Sequence, residues 1–78
     1  MQNDPKTLIF CADLLRKRAN RCSKAYSDRY EYALMADTEE RKAYWLRDAQ
    51  AWLLRSDVLR TASDDLLEMA WAADVHCN

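Results

Sequence analysis

Apolar residues recur along the chain at steps of three and four, the spacing that gathers them on one side of an α-helix. In the first half the series is Leu8, Ala12, Leu15, Ala19, Cys22, Tyr26 and Ala33, and it falters at Arg29. It predicts a helix over about 5–36 with one narrow face rich in alanine. The stretch "NDPKT" marks its start. Asp4 or Asn3 is placed to accept hydrogen bonds from the unpaired first-turn amides. Pro5 suits the first turn, where its missing N–H costs nothing.

The pattern then changes phase. Carried forward from Ala33 and Ala36, the repeat would land on Glu40, Ala43, Arg47, Gln50, Leu54 and Asp57, which are mostly polar. The actual stripe lies on Trp45, Ala49 and Trp52. An offset of two residues is about 200° around a helix, so one straight helix would move its apolar side to the opposite face. A turn near "MADTEE" removes the conflict. Asp37 is expected to cap a second helix there, with Glu40 three residues on as in a capping box and Glu39 near the positive helix end. The two helices then fold back on each other as an antiparallel hairpin.

The second stretch has the clearest repeat. Positions 45, 52, 59 and 66 are Trp45, Trp52, Leu59 and Leu66, with Ala73 following; between them stand Ala49, Ser56, Ser63 and Ala70. Large residues alternate with small ones, as a close-packed seam between helices requires. The helix is expected over about 38–60 and then either continues or restarts near 63, to about 76. Continuity is favoured by the unbroken register through "TASDD". A restart would use Ser63 as a cap, Asp64 and Asp65 in a new first turn, and Arg60 at the end of the preceding helix.

More apolar surface is present than one seam covers. Leu46, Leu53 and Leu67 widen the main face, while Leu54, Val58, Ala62 and Met69 lie on another side of the same helix. A third helix or a second copy must cover them. The expected fold is therefore all-α: a hairpin or three-helix bundle forming one domain over residues 1–78, pairing into a homodimeric four-helix bundle through Leu54, Val58, Ala62 and Met69.

Composition strengthens the helical reading. The 78 residues include no glycine and one proline; 50% are hydrophobic and 32% charged, which is globular rather than disordered. A chain this short hides only about 60–65% of its unfolded surface, which leaves a monomer marginal. Three cysteines cannot all pair within one chain, and "MQNDPKTLIF" lacks a signal peptide's basic start and long apolar run. No stretch reaches the apolar length of a membrane span. A reducing, cytoplasmic setting is expected.

The net charge of −1 conceals an asymmetry. Residues 1–36 carry seven basic against four acidic side chains, residues 37–60 balance, and residues 61–78 hold Asp64, Asp65, Glu68 and Asp74 with no Lys or Arg. The run "RKRANRCSKAYSDRYEY" supplies Arg16, Lys17, Arg18, Arg21, Lys24 and Arg29 among Tyr26, Tyr30 and Tyr32. Basic residues interleaved with aromatics hold phosphates and stack on unpaired bases, which makes this face a candidate for nucleic acid. It equally suits an acidic protein surface, including the chain's own C-terminal segment, or ordinary solvation over apolar neighbours.

Other chemistry finds little support. The tryptophan pair is read as core rather than ligand groove, with Trp71 at the edge of the seam. Cys11 and Cys22 are about 16 Å apart along one helix, too far to share a metal, and read as small apolar residues. His76 and Cys77 adjoin at the terminus, where only an intermolecular metal site would work. The lone His, the absence of a glycine loop and the lack of an embedded acid–base pair argue against an enzyme, a cofactor or a metal. The expected role is a non-enzymatic interaction protein that binds a partner protein and self-associates, acting as a regulator, adaptor or inhibitor. Bacteria and their phages encode many small helical proteins of this type. The alternative is a nucleic-acid-binding accessory factor using residues 16–32; no membrane role is expected.

Overall fold

The computed structural model describes residues 4–76, with side chains through Ala73. Two helices, α1 (Pro5–Leu34) and α2 (Glu39–His76), pack against each other. Among the described residues there is no strand. The result is a rod with extents of 60 × 18 × 13 Å. Its length is that of α2, since 38 residues at 1.5 Å rise span about 57 Å.

Each helix end shows how local chemistry sets its place. Asp4 is the N-cap of α1, with extended backbone angles (φ −69°, ψ 129°), and Pro5 opens the helix. The Asp4 carbonyl accepts the Leu8 N–H at 3.0 Å. Its carboxylate, expected to take a backbone amide, instead accepts the Thr7 hydroxyl at 3.3 Å. Asn3, the other expected cap, lies outside the described residues. At the far end Met35 closes α1 in right-handed geometry (φ −93°, ψ −2°). Its N–H reaches the Glu31 carbonyl at 3.0 Å, and the Ala36 N–H reaches Ala33 at 3.3 Å. No described residue has a positive φ, so the chain reverses without the left-handed residue that glycine usually supplies.

The cap of α2 is Thr38 rather than the expected Asp37. The Thr38 hydroxyl accepts the Arg41 N–H at 3.2 Å, and its carbonyl accepts Lys42 at 3.0 Å. A capping side chain reaches the amide two or three positions on, so a helix that begins one residue later takes its cap one residue later. Asp37 pairs with the Arg41 guanidinium at 3.3 Å, and Glu39 and Glu40 occupy the positive first turn. α2 then runs through Thr61–Asp65 without a break. Ser63 does not cap a new helix there; its hydroxyl donates to the Ala12 carbonyl at 2.8 Å.

The contact between helices is built from small side chains. Ala12, Ala19 and Ala33 of α1 and Ala49, Ser56, Ser63 and Ala70 of α2 are buried. Trp45, Trp52, Leu59 and Leu66, the large positions between them on α2, are half-buried, as are Leu15 and Tyr26 on α1. Ser63 bonds to Ala12 and Ser56 to Ala19, the latter at 3.2 Å. These two bonds sit seven residues apart on each strand of the hairpin and define its register. Each serine keeps its own helix intact and uses a spare lone pair on the facing carbonyl.

Candidate functional site

The seam divides the outer surface of the hairpin into two broad faces. In an antiparallel pair, residues that follow a seam position on both helices share one side, and residues that precede it share the other. The first face carries Ile9, Arg16, Ser23 and Tyr30 of α1 beside Leu46, Leu53, Arg60 and Leu67 of α2. The second carries Cys11, Arg18, Ala25 and Tyr32 beside Asp48, Arg55, Ala62 and Met69.

The middle of the first face is a closed polar network. Ser56 donates to the Ala19 carbonyl and accepts from Ser23 at 2.7 Å. Arg60 donates to Ser23 at 3.1 Å, to Asn20 at 3.2 Å and to Ser56 at 3.4 Å. Arg16 meets Asp64 at 3.3 Å, so part of the acidic C-terminal segment does lie against the start of the basic run. Among the described residues no buried side-chain nitrogen or oxygen lacks a partner. Apolar groups flank this network: Ile9, Leu67 and Trp71 line a groove with Pro5 at one end, and Tyr30 and Leu46 stand exposed toward the turn.

The basic run is not one continuous patch, because its members point around the helix and most meet a carboxylate. Lys17 pairs with Asp13 at 3.0 Å and Lys24 with Asp28 at 3.7 Å, both within α1. Arg29 reaches across to Asp48 at 3.1 Å. Its guanidinium also lies 5.3 Å from the centre of the Trp52 ring. Tyr26 is half-buried, with its ring 6.0 Å from that of exposed Tyr30. Arg18 and Arg21 are exposed and have no ion pair among the described residues.

Arg55 joins those two, a grouping that local sequence does not show. Since Ser56 faces Ala19, Arg55 stands level with Asn20, between Arg18 and Arg21 along the rod. It too makes no ion pair among the described residues. Its guanidinium packs 4.6 Å from the centre of the Trp52 ring, so this indole has two cations close to it. Trp45 instead meets Tyr32 and Tyr44 edge-on, at 5.0 and 5.1 Å.

The side chains expected to pair two copies are open to solvent: Leu54, Val58 and Met69 are exposed and Ala62 is half-buried. Leu54 points away from α1 altogether, on the outer side of α2. Trp71 is 71% exposed. Cys11 is half-buried and Cys22 buried; the His76 side chain and Cys77 lie outside the described residues. No cluster of three or more His, Cys, Asp or Glu side chains that could hold a metal occurs among the described residues. No helix there is long and apolar enough to cross a membrane. No protein-family model, curated protein or solved structure matches this chain.

Proposed function

We propose that the chain is a non-enzymatic helical interaction module that self-associates and uses its remaining outer surface to bind a partner protein, as a regulator, adaptor or inhibitor does. The observation that carries this reading is the thinness of its core. Among the described residues Leu8 is the only large apolar side chain that is buried, the other buried residues being alanine, serine and cysteine, while Phe10, Leu34, Leu54, Val58 and Trp71 are each more than half exposed. The chain exposes 6283 Å². A compact protein of 9.2 kDa is expected to expose about 4,900 Å². That excess of roughly 1,350 Å² is larger than the ~800 Å² each partner gives up in a standard interface.

Sedimentation equilibrium at micromolar concentration tests the reading. A dimer or higher assembly is expected; a fully helical monomer with no tendency to associate overturns it. The nucleic-acid reading has narrower support, resting on Arg18, Arg21 and Arg55, because Arg16, Lys17, Lys24 and Arg29 are engaged with carboxylates. It requires retention of DNA at low salt that falls steeply as salt is added.

A further inference from the structure

The self-association reading leaves open which face meets the second copy and in which direction. The two faces differ in what they have left to offer. On the first, the central polar groups are already satisfied by one another. On the second, three guanidiniums have no carboxylate, and neither does Asp65, which makes no ion pair among the described residues. Charges left unpaired beside exposed apolar groups are what a charged partner surface would complement.

Their positions along the rod suggest what that partner is. Arg18, Arg21 and Arg55 form one level. Because Ser63 faces Ala12, Asp65 stands level with Phe10, about 15 Å from the arginines at 1.5 Å per residue. Leu14 and Val58 lie near the midpoint, 44% and 68% exposed. Beside Val58, a shallow hollow on the outer side of α2 is lined by Asp57, Thr61, Ala62 and Asp65. A closed dimer uses the same patch on both copies, so the patch must complement itself.

We infer that a second copy of this chain packs antiparallel on the arginine face, its two-fold axis passing near Leu14 and Val58, so that α2 lies on α2 and Arg55 of each copy meets Asp65 of the other. The inference rests on the self-association reading and adds the face and the direction. A parallel arrangement would instead lay α2 on α1 of the other copy and bring Arg55 against Arg18 and Arg21. Like-charge contacts of that kind are strongly disfavoured at an interface. The leucine and valine at the axis supply apolar contact, and the charges select the direction.

Charge reversal tests this by sedimentation equilibrium, with helicity followed by circular dichroism. Arg55→Glu, and separately Asp65→Arg, are each expected to weaken the dimer at least about tenfold. The two changes together restore opposite charges in the antiparallel dimer, and affinity returns to within about threefold of wild type. Failure of the double variant to recover, with helicity intact, overturns the direction. A wild-type dimer that ignores every charge reversal but falls apart with Leu46→Ser and Trp71→Ser places the contact on the other face. That result overturns this inference while self-association stands; a monomeric wild type removes both. Charge reversals that leave the dimer unchanged but abolish low-salt binding to duplex DNA also overturn it, and assign the arginines to phosphate.

Discussion

The two ends of the hairpin use one repeat in opposite ways. Between Ala12–Ser63 and Ala19–Ser56 the helices approach so closely that a side chain one carbon long bonds to the facing backbone. Toward the turn Ala33 and Ala49 continue the small positions, but the residues around them are larger: Tyr26 and Arg29 on α1, Trp45 and Trp52 on α2. There the helices are joined by an Arg29–Asp48 pair and by edge-on rings of Tyr32, Trp45 and Tyr44. The first region leaves no room for added volume. The second is lined by half-buried groups that are apolar along their stems and polar at their tips.

The sharpest way to break this contrast is to add volume at the close approach. Ala19 is 0% exposed, so Ala19→Leu must separate the backbones; a loss of about 3 kcal/mol is expected from overpacking. Urea unfolding at fixed protein concentration measures it, fixed because self-association would couple stability to concentration. Ala25→Leu, on a half-buried flank of the same helix, serves as control and should cost much less. If the two variants lose equal stability, the close approach is not the constraint.

Toward the turn, loss of volume matters more. Trp52→Ala removes the indole that Arg29 and Arg55 pack on and is expected to cost about 2 kcal/mol, less than for a fully buried tryptophan because the ring is half-buried. The same denaturation experiment reads it; a change below about 0.5 kcal/mol would show that the ring contributes little packing. Ser63→Ala is smaller again. The Ala12 carbonyl keeps its place in α1, so only one net hydrogen bond is lost, about 1 kcal/mol. Hydrogen exchange in α1 and α2 around the site is expected to rise with that variant and stay unchanged near Trp45.

The smallest effect belongs to charge. Arg16 and Asp64 are joined at 3.3 Å with side chains 52% and 65% exposed. Arg16→Ala is expected to shift stability by about 0.5 kcal/mol or less, a difference that vanishes in high salt. A larger, salt-insensitive loss would mean that the arginine stem, rather than its charge, packs on the first face.

Much of this architecture was legible in local pattern. The phase change after Ala36 implied a turn, since apolar residues on opposite sides of one helix cannot face one partner. The large–small alternation from Trp45 to Ala70 marked the side of α2 that meets α1, and Ser56 and Ser63 are buried there as small residues. What stayed hidden were the features that depend on the other helix. Arg29 interrupted the apolar series on α1, and its reason, Asp48 with Trp52, lies across the pair. Arg55 stands apart from the basic run in sequence, and the register sets it beside Arg18 and Arg21. The exchange of Asp37 for Thr38 as cap reflects a one-residue difference in where α2 begins, which propensity resolves poorly.

Register is where the two kinds of information part. Helix content, the place of the reversal and the inner side of each helix follow from composition and periodicity, because they depend on spacing within one segment. A seven-residue repeat on both helices is, however, nearly unchanged when one helix slides by seven. Small residues would still meet small residues. The choice among such alignments comes from the short Met35–Thr38 connection together with bonds that only one alignment permits, Ser63 to Ala12, Ser56 to Ala19 and Arg29 to Asp48. The arginine cluster, and with it the face argued to meet a second copy, exists only in that alignment.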